Sequence, residues 1–193
     1  MELKNIVDNT RTDKNTRHCY LDIYQNLFSE KRLNAKNILE IGISFGGSIK
    51  LWYDFFTNAN IYGIDIANSA NSDQFNWNDI INKNNIILYT SSDGYNENFF
   101  NNNIKNKNIN FDIIIDDGDH NIDSMIKFIQ LYSQILADDG ILIIEDVQYI
   151  EWIEILKSNT PDNLKEFITI YDLRSVNNIN DDILFVINKS NKN

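Results

Sequence analysis

Three short stretches of this chain gather residue types that do chemistry. Asp116-Asp117-Gly118-Asp119-His120 follows an Ile-Ile-Ile run, and Glu145-Asp146 follows the apolar run 141–144. The third runs from Asn37 to Trp52: Asn-Ile-Leu-Glu-Ile-Gly-Ile-Ser-Phe-Gly-Gly-Ser-Ile-Lys-Leu-Trp. An Asp-Asp-Gly-Asp loop is ordinarily a solvated turn. Here it falls at the carboxyl end of a central parallel strand, where open α/β sheets bind ligands. Successive side chains on a strand point opposite ways, so Asp116 and Asp117 can serve different ligands. His120 is one of two histidines in the chain.

The Asn37–Trp52 stretch reads strand, glycine turn, helix. Ile38, Leu39, Ile41 and Ile43 suit a strand buried on both faces. Gly42, Gly46 and Gly47 break the run, and Ser48 is placed to begin a helix with Ile49, Trp52, Tyr53 and Phe56 on one stripe. A dinucleotide site wants G-x-G-x-x-G. Ser44 stands where its second glycine would be, and Glu40 has no use in holding a pyrophosphate. A buried carboxylate there could instead meet a cationic group. The plain alternative is an ordinary strand-to-helix turn. The pattern E-x-G-x-x-x-G-G-S resembles motif I of class I S-adenosylmethionine (SAM) methyltransferases, in which a strand-end acid faces the methionine ammonium. About twenty residues on, Asp65 ends the second strand, where an acid can take both hydroxyls of a ribose. Ser91-Ser92-Asp93-Gly94 follow the third strand, where an adenine would lie in this architecture.

These residues must be positioned by seven strands: 37–43, 61–66, 86–90, 111–115, 141–144, 167–173 and 183–188. Helices are expected at 18–33, 48–56, near Trp77 and Ile80 within 73–85, around 95–100, at 122–136 and at 149–157. No crossover helix fits between the last two strands, so they form an antiparallel hairpin. Seven strands with a terminal hairpin, helices on both faces and a glycine turn after strand 1 resemble the class I methyltransferase sheet. That resemblance implies an α/β, Rossmann-like fold: a seven-stranded mixed sheet of order 3-2-1-4-5-7-6, strand 7 antiparallel, with helices on both faces. Residues 1–193 read as one domain, with 1–36 as an N-terminal lid or helical segment. Thr12-Asp13-Lys14, His18, Tyr20 and Tyr24 lead into the first helix, and a capped surface helix is the expectation for them.

A net charge of −11 argues against non-specific nucleic acid binding, which needs a basic surface. It suits a neutral or cationic small substrate. The single cysteine, Cys19, forbids an intrachain disulfide. No run is long and apolar enough to span a membrane, and the start is not a signal peptide. A cytoplasmic location is the default, and oligomeric state stays open. The abundant Asn, as in Asn101-Asn102-Asn103, reads as loop drift without chemistry.

Four blocks carry a family resemblance. They are Thr12-Asp13-Lys14 with His18-x-Tyr20; Leu39-Glu40-Ile41-Gly42 with Gly46-Gly47-Ser48; Ile61-Tyr62-Gly63-Ile64-Asp65-Ile66; and Phe111 to His120 followed by Gly140 to Asp146. Together they resemble the SAM-dependent O-methyltransferases of the macrolide-sugar, mycinamicin-like group, with Asp119 where Ser is usual. The resemblance implies magnesium-assisted methyl transfer to a sugar hydroxyl. It implies that Asp117, Glu145 and Asp146 hold the metal and that His120 is the base. SAM would be held by Glu40, Gly42, Ser44, Gly47, Ser48, Asp65, Ile66, Ser92, Asp93 and Asp116. Three carboxylates suit a hard divalent cation. The alternatives are a metal-independent methyltransferase on another small acceptor, or a SAM-binding module without catalysis. A dehydrogenase is disfavoured by Ser44 and by the acids after strands 4 and 5.

Overall fold

The computed structural model describes residues 1–68 and 77–190. Residues 73–76 of the expected Trp77 helix lie outside the described residues. The elements are α1 (Tyr20–Phe28), β1 (Asn37–Ile41), α2 (Gly47–Phe55), β2 (Asn60–Ile64), α3 (Asn78–Ile81), β3 (Ile86–Tyr89), α4 (Glu97–Phe99), β4 (Phe111–Asp116), α5 (Ile122–Tyr132), β5 (Leu136–Ile144), α6 (Trp152–Asn159), β6 (Ile168–Asp172), α7 (Arg174–Asn177) and β7 (Ile183–Asn188). They build the expected sheet of order 3-2-1-4-5-7-6. β7 runs antiparallel to both β5 and β6, and the other pairs are parallel.

Alternation along each strand divides the core in two. Ile38, Ile61, Ile113, Ile141 and Ile143 face a layer with α1 and α2. Leu39, Ile64, Ile114, Leu142 and Ile144 face a layer with α5 and α6. Strands buried on both faces must be apolar throughout, which explains their near-continuous Ile and Leu runs. On the α1 face an aromatic cluster locks the helices together: Tyr24 stacks on Phe28 at 5.0 Å, and Trp52 meets Phe28 edge-on at 5.7 Å.

Register aligns the functional edge. Ile41 pairs with Ile64 of β2 and Asp116 of β4, and Asp116 pairs with Ile144 of β5. The ladder continues one residue further. Gly42, Asp65, Asp117 and Glu145 each donate their N–H to the neighbouring strand, at 2.9, 3.0, 2.9 and 2.9 Å. Those four residues therefore emerge side by side at the carboxyl edge.

Several boundaries differ from the sequence reading. α1 is shorter than 18–33, and the chain after it turns rather than coils. α2 begins at Gly47 with Gly46 as its N-cap, so Ser48 is not the cap. The Asn-rich stretch after α4 is not a plain loop: it continues as a π-helical turn, Phe100–Ile104, and a 3₁₀ turn, Lys105–Lys107. Phe100 and Ile104 are buried, and that packing holds the coil together despite its Asn content. α6 starts at Trp152, three residues later than expected. Among the described residues, no helix is long and apolar enough to cross a membrane.

Candidate active site

The glycine turn is shaped by contact with the acidic loop. Gly42 has φ +82°, and a Cβ there would lie 1.8 Å from the Asp117 carbonyl oxygen. Only glycine permits both. Gly47 meets a different neighbour: an added Cβ would come 2.4 Å from the Arg11 carbonyl oxygen, so the residue admits the N-terminal segment. The Asp65 carboxylate braces the turn. Its Oδ2 accepts from the N–H groups of Ile43 and Ser44 at 2.9 and 3.0 Å, and its Oδ1 accepts from Ala67 at 2.7 Å.

A cavity of about 430 Å³ opens between this turn and the loops after β3 and β4. Of the residues expected to hold cofactor, Gly42, Ser44, Asp65, Ile66, Ser92 and Asp93 line it. A second cavity of about 300 Å³ shares Gly42, Ser44 and Asp117 with the first and reaches Ser48 and the segment from Asn9 to Thr16. Gly47, Glu40 and Asp116 line neither cavity. Asp116 is buried and accepts from the Tyr95 hydroxyl at 2.5 Å. Burial pushes its carboxyl up to about 7, against the Tyr95 hydrogen bond. Glu40 is wholly buried beneath the turn, where Trp52 Nε1 donates to it at 3.1 Å. Its Oε1 has no hydrogen-bond partner and lies 3.5 Å from the Lys14 ammonium. Burial lifts Glu40 to about 7, with Lys14 opposing.

The acids expected to hold metal fall into two overlapping groups. Asp117, His120 and Asp146 bring ligand atoms within 4.8 Å of one another, and so do Glu40, Asp117 and Glu145. Asp117 belongs to both. Glu145 and Asp146 are sequence neighbours, and Asp146 takes a positive φ of 55° that turns the chain between them. His120, at φ +54°, places Nε2 3.2 Å from Asp117 Oδ1 and Nδ1 3.5 Å from Asp146 Oδ2. Non-glycine residues at positive φ are uncommon and gather at functional sites. Ser44, Asp146 and His120 are three such positions here. Burial works against a charge on His120. The hydrogen bond that His120 donates to Asp117 and the charges of Asp146, Asp117 and Glu145 outweigh it and raise the imidazole to about 9.

The N-terminal segment lies over these acids and puts among them side chains that were expected on a surface helix. Lys14 is buried, and its ammonium donates to Asp117 Oδ2 at 2.6 Å and to both Glu145 oxygens at 2.7 Å. Burial opposes its charge, but Asp117, Glu145 and Glu40 hold its pKa well above the usual value. The Tyr24 hydroxyl donates to Glu145 at 2.5 Å, and the Tyr20 hydroxyl donates to Asp146 at 2.5 Å. His18 stacks on Tyr20 at 4.8 Å and approaches Asp182 at 3.1 Å and Asp146 at 3.5 Å. The expectation of a capped surface helix is therefore overturned for Lys14, His18, Tyr20 and Tyr24. Their polar tips are buried because the acids of β4 and β5 supply partners there. The available signal was the i, i+4 spacing of Tyr20 and Tyr24 on the apolar stripe of α1. Tyr95 and Asp182 also went unnoticed.

Hard oxygen donors from Asp117 and Asp146, with the imidazole of His120 alongside, fit a small divalent cation. Asp117 and His120 are about a quarter exposed, so that face is open, whereas Glu145 and Lys14 form a buried floor. A third cavity, of about 490 Å³, lies beyond β5 and is lined by Arg17, Gln148, Tyr149, Asn178, Asn180 and Asp181, together with Ile179.

The sheet order and the class of its structural neighbours define a Rossmann-like, class I methyltransferase fold. Particular relatives can then be named. Over 143 residues the chain is 28% identical to mycinamicin VI 2''-O-methyltransferase of Micromonospora griseorubida, covering 70% of this chain and 33% of that protein. The MycE methyltransferase of mycinamycin biosynthesis, solved with Mg, SAH and mycinamycin VI, superposes with a TM-score of 0.62 at 26% identity, over 76% of this chain and 39% of that one. A second structure of MycE, with Mg and SAH, gives a TM-score of 0.72 at 20% identity, over 97% of this chain and 54% of that one. The chain spans about a third of the curated relative's length. No protein-family model matches it. The resemblance read from the sequence is thus to the same kind of O-methyltransferase that both comparisons return.

Proposed function

We propose that the chain transfers the methyl group of SAM to a hydroxyl of a small molecule, a sugar or sugar nucleotide, with the help of a divalent cation. The observation that carries this reading is one meeting point. The cavity beside the glycine turn opens at the same carboxyl edge as Asp117, His120 and Asp146. The names of the relatives agree with it. The chain would act as one domain in the cytoplasm, with residues 1–36 as the lid over the acids.

Each residue has a part. Asp65 takes a ribose hydroxyl of SAM on Oδ1, which keeps one lone pair beside the Ala67 bond, while Oδ2 still braces the turn. Ser92 and Asp93 lie toward the adenine. Asp65, Asp93, Asp117 and Asp119 give the cavity a negative field that favours the cationic sulfonium. Asp117 and Asp146 would hold Mg²⁺, which when bound lowers the pKa of a hydroxyl it touches, and Glu145 would join them on releasing Lys14, which takes both its oxygens. His120 takes the hydroxyl proton as the oxygen accepts the methyl and the sulfonium becomes a thioether. With Asp117 and Asp146 unneutralised, His120 keeps its own proton to about pH 9. It therefore becomes a base near neutral pH only when that field is offset. The polar third cavity, with its amides and exposed Tyr149, suits a polyhydroxylated acceptor.

A second reading has its own observation. Lys14 already supplies a cation to Asp117 and Glu145, which fits metal-independent transfer to another small acceptor.

Calorimetry with SAH and NAD tests the cofactor. Mass spectrometry of a nucleotide-sugar panel incubated with SAM and Mg²⁺ tests the reaction. SAH should bind and NAD should not, and one acceptor should gain a single methyl. NAD binding without SAH binding would sink the reading.

A further inference from the structure

Lys14 lies among three carboxylates, of which Glu40 and Glu145 are buried and Asp117 is about a quarter exposed. Its ammonium is 2.6 Å from Asp117, 2.7 Å from Glu145 and 3.5 Å from Glu40, and its side chain is 1% exposed. Two of the three partners belong to the set proposed to hold metal. An uncompensated buried carboxylate is strongly unfavourable, and a cluster of them more so. One ammonium is shared by three carboxylates, with Asp117 in the closest contact, and it holds the cluster together.

We infer that Lys14 is a tethered counter-ion that assembles the carboxylate cluster in advance and competes with the divalent cation for Asp117. This rests on the proposed metal reading and deepens it. The ammonium occupies Asp117 Oδ2, while Asp117 Oδ1 faces His120. Asp117 is thus shared between the buried floor and the open face. A cation arriving at the open face meets a preformed set of oxygens but is repelled by the charge behind it. Its affinity is lower than the donor count alone would give, and the empty site does not collapse. Thr12-Asp13-Lys14 acquires a reason as a motif: it carries a cation to strand ends more than a hundred residues away in sequence.

The test compares the wild type, Lys14→Met and Lys14→Met/Glu145→Gln, by Mg²⁺ calorimetry and by thermal melts in EDTA and in Mg²⁺. Lys14→Met should melt lower than the wild type in EDTA, gain more from Mg²⁺ than the wild type does, and bind Mg²⁺ about tenfold more tightly or better, since ligand stabilisation follows affinity. The double variant, which removes both charges of the pair, should melt above Lys14→Met in EDTA. If Lys14→Met does not fold alone, folding of the double variant supports the inference and its failure overturns it. Mg²⁺ bound by wild type and Lys14→Met with equal affinity, or more weakly by the variant, overturns the competition and leaves the metal reading standing. Mg²⁺ bound by neither folded protein overturns both.

Discussion

Asp65 and Asp117 hold the same place in the ladder, one residue beyond their strands, yet their surroundings are opposite. Asp65 is met by backbone N–H groups from its own neighbourhood, Ile43, Ser44 and Ala67, and it borders an open cavity. Asp117 is met by side chains, Lys14 and His120, and one of them comes from 103 residues away. Burial alone would raise Asp117, but Lys14 and His120 hold its carboxyl below the usual range. The half of the edge over β1, β2 and β3 is therefore a cradle of backbone, shaped before a ligand arrives. The half over β4 and β5 is a charge cluster closed by the N-terminal segment. A backbone cradle tolerates side-chain loss by degrees, whereas a buried charge cluster fails when one partner is removed.

The largest test strips the proposed cation from the closed half. EDTA should abolish methyl transfer, and added Mg²⁺ should restore it, while SAH affinity measured by calorimetry stays near its starting value. Full turnover in excess chelator would promote Lys14 from counter-ion to sole cation.

Next comes His120→Ala. Turnover should fall by roughly 10²–10⁴-fold, the usual worth of a positioned acid–base group. SAM affinity should survive because the open half is untouched. If binding fell and saturated turnover did not, the boundary between the two halves would be misplaced.

Asp65→Ala probes the open half. SAH binding should weaken by about 1.5–3 kcal/mol, the value of a charged acceptor, with little change in saturated turnover. Unchanged affinity would make Asp65 a brace of the turn and nothing more.

Tyr24→Phe removes a buried donor from Glu145 without changing shape. Stability in denaturant should drop by about 1–2 kcal/mol, since the carboxylate keeps Lys14 but loses one hydrogen bond. A neutral result would mean that Glu145 is already satisfied by the ammonium. The smallest effect belongs outside both halves. Lys4 and Asp22 form an exposed pair, 50% and 68% accessible. Lys4→Ala should change stability by less than about 1 kcal/mol and leave SAH binding alone. A large loss would show that α1 is anchored from its surface rather than through Tyr20 and Tyr24.

Local pattern was enough for much of the molecule. The apolar runs with glycine and acidic punctuation carried the seven strands and the hairpin, because doubly buried strands must be continuous and the last connection is too short for a crossover. The order followed from the resemblance to the class I methyltransferase sheet. Gly42, Asp65, Asp117 and Glu145 were legible for the same reason: each follows a strand end directly, and register does the rest. Tertiary structure alone decided which way the carboxylates face. Glu40 looks from its sequence position like a ligand for the cofactor's ammonium, but in the fold it is enclosed by Trp52, Ser48 and Lys14. Lys14 looks like a polar surface residue, because a charged side chain is ordinarily exposed, and periodicity puts Tyr20 and Tyr24 on the apolar stripe of α1 without showing what their hydroxyls meet. Distant charges provide the partners of all three. The contacts of Lys14 with Asp117 and Glu145 span 103 and 131 residues, and no local window holds both ends. The chain's own chemistry wrote the strands and their acids, and only folding brought the cation to them.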